Sequence, residues 1–434
     1  MTARLFLSYV VPAVLAMTLS GVYAIVDGFF VGNRIGDPGL SAINFAYPVS
    51  ALLEAAGAGI GMGGAVHYAL SAGRGDGARA GAYAAAALRA LFLAGAALSL
   101  VLWATVEPLL YVMGARDGLL RLGAEYNAVI TAGGFCQVIG VGLVPLLRNR
   151  AGSLAATAVM VTGFALNVSL DYLFVWRMDW GMTGAALATV MGQGAAALLG
   201  AYLLARRGAF SFRLRGGGRG LYGPVFSVGA ASFGLAMTPN LSLVLVNGFS
   251  AHYGGDFAVA VYAVIAYAVC IVYLALQGVG EGSQPLMSFC CGRHDGRGLS
   301  RVLRWAAGTA LLLSGASALF FWRCGEAVSR FMGVSQAVAE ASGAVYPIFL
   351  LALPFAALSR VGAAAFYAVG ESRPAQWLSY AEPLFLGVFL LVLPPFGGQD
   401  MVWWSVTASR AAACALAFLL WRRRRGALRC ASAE

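Results

Sequence analysis

Long apolar runs, separated by short polar turns rich in glycine and arginine, recur from one end of the chain to the other. An apolar run of about 18 residues or more is long enough to cross a bilayer as a helix. The sequence predicts twelve such spans, at 6–31, 40–70, 82–106, 122–146, 154–176, 183–205, 223–250, 258–288, 302–322, 342–367, 375–396 and 401–421. Composition agrees with this pattern, since 60% of the 434 residues are hydrophobic and 11% are charged, against about 25% charged in a soluble domain. The expected fold class is an all-α polytopic membrane protein.

Charge placement adds an orientation. There is no lysine, and all 29 basic residues are arginine. With the N-terminus in the cytoplasm, 21 arginines fall on the cytoplasmic side, six on the opposite side, and Arg360 and Arg410 within spans. Such a bias is the positive-inside signal, and it predicts a multi-pass protein of the cytoplasmic (inner) membrane with both termini cytoplasmic. The net charge of +11 then reflects topology and attraction to anionic lipid. Nucleic-acid binding is not expected, because the arginines are scattered over short loops. Residues 1–24 resemble a signal peptide, with Arg4, an apolar core and Val22-Tyr23-Ala24. A counterpart of this helix deep inside the chain argues against removal. The seven cysteines, Cys430 among them, form no metal-like spacing.

The chain is also duplicated. Ser71-Ala72-Gly73-Arg74-Gly75-Asp76-Gly77 matches Cys290-Cys291-Gly292-Arg293-His294-Asp295-Gly296 at a shift of 219. Gly59-Ile60-Gly61-Met62-Gly63 matches Gly278-Val279-Gly280-Glu281-Gly282 at the same shift, as do Trp103 with Trp322 and Met113-Gly114 with Met332-Gly333. Val26-Asp27-Gly28-Phe29 matches Val246-Asn247-Gly248-Phe249 at a shift of 220. Six spans per repeat return the chain to its starting side, so the repeats are parallel. The expected organisation is an N-lobe at 1–205, a cytoplasmic linker at 206–221 containing Gly216-Gly217-Gly218, and a C-lobe at 222–434, with the two six-helix repeats around a central cleft.

Ionisable side chains within spans are costly and mark functional sites by default. Asp27 is the one charge between Leu5 and Val31. Asn167 and Asp171 are four apart on the fifth span and share a helix face; Thr189 lies on the sixth. These oxygens suit a hard cation such as Na⁺, or the two carboxyls can carry a proton. The alternative is that Asp171, five residues before Trp176-Arg177, is solvated at the outer boundary. In the second repeat Asp27 is replaced by Asn247, and the stretch Leu386 to Leu391 opposite Asn167 and Asp171 is apolar. One cation site, in the N-lobe, is therefore expected. Glu54, Glu281 and Glu382 either face the cleft and attract a cationic substrate or pair with Arg360 or Arg410. Glu382 suits a structural salt bridge, and for Glu281 both readings stand. Pro12, fifteen residues before Asp27 on the same helix, is a candidate hinge. The glycines from Gly57 to Gly64 suit close helix packing, and a phosphate loop is rejected because no strand precedes them.

Val26-Asp27-Gly28-Phe29-Phe30-Val31-Gly32, Asn167-Val168-Ser169-Leu170-Asp171-Tyr172-Leu173-Phe174, Gly181-Met182-Thr183-Gly184-Ala185-Ala186-Leu187-Ala188-Thr189 and Gly278-Val279-Gly280-Glu281-Gly282-Ser283-Gln284-Pro285-Leu286 resemble the multidrug and toxic compound extrusion (MATE) family over nearly the whole chain. The resemblance implies a secondary exporter, not an enzyme, driven by inward Na⁺ or H⁺ through alternating access. It implies Asp27, Asn167, Asp171 and Thr189 as the coupling site and Pro12 as the first-span proline. Departures are Glu281 where glutamine is common, Ala151-Gly152-Ser153 in place of Gly-Asn-Pro, and no C-lobe acids on the seventh and tenth spans. Glu281, Gln284 and Glu54 are candidate substrate-cleft residues, and the extra acid favours lipophilic cations. A flippase of lipid-linked sugars and a membrane-embedded enzyme are the alternatives. A small-molecule substrate, membrane lipid, no cofactor, no metal other than Na⁺ as coupling ion, and a monomer complete the expectation.

Overall fold

The computed structural model describes residues 1–112, 115–206 and 219–423. Most of the expected linker at 206–221, Met113-Gly114, and the C-terminal Arg424, Arg425, Arg429 and Cys430 lie outside the described residues. The elements are α1 (Ala3–Arg34), α2 (Asp37–Gly73), α3 (Gly77–Val112), α4 (Asp117–Ala132), α5 (Gly134–Ala151), α6 (Ser153–Asp171), α7 (Gly181–Arg206), α8 (Arg219–Gly292), α9 (Gly296–Phe331), α10 (Gln336–Ala368), α11 (Ser372–Val392) and α12 (Pro394–Arg423). Among the described residues there is no strand. The chain is an all-α polytopic membrane protein.

These helices correspond to the apolar runs with three instructive differences. The fourth span is two helices, α4 and α5, bent by 57° at the break. Gly133 stands at that bend, where an added Cβ would collide with Val190. The seventh and eighth spans run together as the 74-residue α8, broken at Gly255, whose φ of 64° is readily accessible to glycine. The fifth span ends its α-helix at Asp171 and continues as a π-helical turn, Tyr172–Arg177.

The duplication is visible in backbone detail. In both of the matching loops one residue takes a positive φ, Gly75 at 82° and His294 at 57°. The next residue then caps the following helix: Arg79 N donates to Asp76 Oδ1 at 2.8 Å and Gly298 N to Asp295 Oδ1 at 2.8 Å. Such caps are worth about 1 kcal/mol.

Packing divides the chain into two compact units, one of residues Leu19–Ala236 and the other of Met1–Thr18 with Met237–Glu434. α1 and α8 therefore each begin in one unit and continue in the other. The changeovers, after Thr18 and after Ala236, fall at the end of Leu15-Ala16-Met17-Thr18 and in the middle of Leu235-Ala236-Met237-Thr238, two segments that match at a shift of 220.

Glycine grooves hold these crossing helices. In the first unit, Gly57 and Gly61 on α2 admit α5; a Cβ on Gly57 would lie 2.5 Å from the Val138 carbonyl oxygen, and one on Gly61 would strike that of Gly142. Gly59 and Gly63 admit the start of α8, whose nearest carbonyls are those of Gly229 and Val225. In the second unit the equivalent Gly278 and Gly282 admit the start of α1, with Ala13 O at 3.0 Å and Tyr9 O at 2.9 Å from the would-be Cβ atoms. At a shift of 220, Gly229 and Val225 correspond to Tyr9 and Leu5. α1 thus sits four residues, one helical turn, further along its groove than α8 does. The residue at fault is Tyr9. A Cβ on Gly229 would lie 2.6 Å from Gly59 O, so tyrosine cannot occupy that register, and Ala13 takes the close approach instead.

Candidate cation site and the charged residues of the spans

Three helices bring the coupling candidates together within the unit Leu19–Ala236. Asp27 is on α1, Asn167 and Asp171 are on the last turns of α6, and Thr189 is on α7. Close packing of small residues allows this: a Cβ on Gly192 of α7 would lie 2.8 Å from Gly163 O and 2.9 Å from Asn167 Cβ. Tyr23 stacks on Phe164, with ring centroids 5.0 Å apart, and so seats α1 against α6.

Asn167 is 2% exposed and Asp171 0%, so Asp171 is not solvated at the boundary. The Asn167 Nδ2 donates to Thr189 Oγ1 at 3.3 Å, and Thr189 Oγ1 donates to Ala185 O at 3.2 Å. That leaves Asn167 Oδ1 facing inward. The Asp27 and Asp171 carboxyl groups adjoin one another. Neither carboxylate can donate, and Asp27 Oδ1, both Asp171 oxygens and Asn167 Oδ1 are buried with no hydrogen-bond partner. Among the described residues neither aspartate has an ion pair. Buried oxygens of this kind cost free energy unless something supplies the missing donor or positive charge. The set of carboxylate, amide and hydroxyl oxygens fits a hard cation and equally a proton shared between two carboxyls.

Two tyrosines belong to this site that the sequence reading did not include. Tyr23 and Tyr126 both lie beside Thr189 and in electrostatic range of Asp27 and Asp171. Tyr23 precedes Asp27 by one helical turn, a spacing visible in the sequence. Tyr126 carries no such signal, because the bend between α4 and α5 decides where it points.

Glu54 on α2 accepts from Gln137 Nε2 at 3.2 Å, and the same amide reaches Ser50 O at 3.5 Å. Glu54 is also in electrostatic range of Tyr126, so it neighbours the cation site. Pro12 lies within α1 in the other unit, six residues before the changeover at Thr18.

The remaining candidates lie in the unit containing Met237–Glu434. Glu281 accepts from Gln277 Nε2 at 2.9 Å, and Gln277 Oε1 accepts from Arg360 Nη1 at 3.2 Å. Glu281 is thus tied to Arg360 through one amide. Gln284 is fully buried and donates to Ser288 Oγ at 2.8 Å. Arg410 pairs with Glu382 at 3.1 Å and donates to the Tyr273 hydroxyl. The Tyr273 ring lies 4.2 Å from the Arg410 guanidinium carbon and 5.7 Å from that of Arg360.

Comparison with known proteins decides the family. The MatE family model matches residues 12–173 and 233–390, one block in each repeat. The chain belongs to the MatE family. Its curated relatives include the multidrug export protein MepA of Staphylococcus aureus (strain MRSA252), 22% identical over 424 residues that cover 96% of this chain and 92% of that protein. MepA of Staphylococcus saprophyticus is 22% identical over 417 residues, covering 94% and 91%. Among solved structures, an outward-facing conformation of a multidrug resistance MATE family transporter of the MOP superfamily aligns with a TM-score of 0.92 at 22% identity, covering 98% of this chain and 96% of that one. A MOP superfamily transporter from Pyrococcus furiosus, described as having a binding pocket of reverse polarity that suggests a different function, aligns equally well, with a TM-score of 0.92 at 22% identity and the same coverage. The MatE chain is accordingly a membrane transporter and not an enzyme, and its fold is that of MATE efflux transporters.

Proposed function

We propose that this MatE protein is a secondary exporter that drives small amphipathic compounds outward by alternating access, using inward movement of one cation through Asp27 and Asp171. The observation that carries the reading is the pair of adjoining, buried carboxyl groups with no ion pair and four unpartnered oxygens between them and Asn167. Two neighbouring carboxylates in a low-dielectric interior require a positive charge between them. A cation that enters from outside and leaves to the cytoplasm supplies that charge for part of a cycle. Asn167 and Thr189 serve as neutral oxygen ligands or hydrogen-bond partners, and Pro12 gives α1 a point of flexure six residues before its changeover. The arginine bias supports an inner-membrane orientation with cytoplasmic termini.

Lipophilic cations are the substrates that a bare Glu281 would select. Glu281 is not bare, since Gln277 occupies its Oε1 and links it to Arg360. That expectation is tested by comparing export of a cationic dye and a neutral analogue in Glu281→Gln. The main reading is tested in everted membrane vesicles with Na⁺ and pH gradients imposed separately. Export driven by one of the two is expected; export indifferent to both overturns the reading.

A further inference from the structure

Arg360 is a buried charge with no carboxylate partner among the described residues. It is 6% exposed, its Nη1 donates to a neutral amide, and its Nε is buried with no hydrogen-bond partner. Among the described residues no carboxylate pairs with it, whereas Arg410 beside it holds Glu382 at 3.1 Å. It also lies against the π face of Tyr273 and near Cys270. A buried guanidinium without a carboxylate is strongly unfavourable in an apolar interior. Guanidinium presents a planar fork of donors that matches a carboxylate in two parallel hydrogen bonds.

The surroundings point the same way. Gln277 and Tyr273 are half-buried and Cys270 is exposed, so the face of α8 beside Arg360 is open within its own unit. Tyr273 supplies an aromatic surface for the apolar body of a ligand. Glu382 is already neutralised by Arg410, and Glu281 is bonded to Gln277 rather than to Arg360, so the guanidinium fork itself holds no carboxylate among the described residues.

We propose that Arg360, with Gln277 and the Tyr273 ring, binds the carboxylate of the exported compound, so that the transporter selects amphipathic organic acids. This deepens the exporter reading and rests on it for the word "exported", while the binding claim stands alone. The test uses the purified full chain in lipid nanodiscs and two fluorescent probes, dansyl-phenylalanine and its methyl ester, with a lipophilic cationic dye as a third. Wild type should bind the acid more tightly than the ester by on the order of tenfold to a hundredfold, the range for a hydrogen bond to a charged group. Arg360→Gln should lose that preference and retain the ester affinity, which also reports that the variant is folded. Arg360→Lys, which keeps the charge but not the fork, should fall between the two.

Equal binding of acid and ester by wild type, or tighter binding of the cationic dye, overturns the proposal. So does an Arg360→Gln protein that still prefers the acid. Efflux from proteoliposomes separates the two claims. Preferential acid binding without gradient-driven efflux would refute the exporter reading and leave the carboxylate site intact. Gradient-driven efflux of the cationic dye with no acid preference would do the reverse.

Discussion

Asp27 and Asn247 occupy matching places in the two repeats, and each leaves a side-chain oxygen buried without a partner. Their surroundings have diverged. Around Asp27 stand a second carboxyl, an amide, a hydroxyl and two tyrosines, with no cation paired to either acid. Asn247 has no acid from α11 opposite it, because that stretch is apolar. A second pair of positions differs in the opposite sense. Glu54 of the first repeat corresponds to Tyr273 of the second at a shift of 219, and Tyr273 is flanked by Arg360 and Arg410. One repeat has kept unpaired acids, which invite a cation, and the other has gathered arginines. Meanwhile the loops, caps and glycine grooves that build both repeats are preserved. The backbone demands the same residues twice, whereas transport chemistry needs each site only once.

The comparison is broken most severely by moving its acid. Asp27→Asn combined with Asn247→Asp is expected to leave gradient-driven export absent, because Asn247 has neither an Asp171 nor an Asn167 opposite it; recovery of transport would show that the second repeat can host the cation. Next in size is the groove. Gly282→Leu should cost at least about 1–3 kcal/mol through overpacking, since even a Cβ there would stand 2.8 Å from Val10 Cα. A lowered thermal midpoint of the purified protein measures it, and an unchanged midpoint would mean that α1 does not rest in this groove. Tyr126→Phe removes one hydroxyl from the cation site and should weaken ion-coupled transport by up to about tenfold, the value of a single hydrogen bond, with protein level unchanged. The smallest effect concerns the duplicated loop. His294 holds a φ of 57° where its counterpart is Gly75, so His294→Gly should stabilise the protein by up to about 1 kcal/mol, again read from the thermal midpoint.

Much of this was legible in the sequence for a physical reason: a bilayer demands long apolar helices, and polar residues within them stand out. Asp27, Asn167, Asp171 and Thr189 were visible because each interrupts an apolar run. The bend that aims Tyr126 at Thr189 was not, because Gly133 is one glycine among 57 and the close approach of Val190 that excludes a side chain there exists only after folding. The pairing of Arg410 with Glu382, and its absence at Arg360, was equally hidden. Both arginines interrupt their spans alike, and α10 and α12 both pack on α11, so which arginine reaches Glu382 is decided only by side-chain placement in the folded chain. The one-turn offset of α1 rests on Tyr9 against Gly229, a difference that means nothing until the two grooves are compared.

The central claim is that Asp27 couples cation entry to export. It is met most directly in proteoliposomes carrying either wild type or Asp27→Asn, with substrate flux followed both under an imposed Na⁺ or proton gradient and as substrate exchange with no gradient. The account predicts that wild type accumulates substrate against its gradient, whereas Asp27→Asn exchanges substrate at a comparable rate but accumulates none. Accumulation by Asp27→Asn at the wild-type level would contradict it.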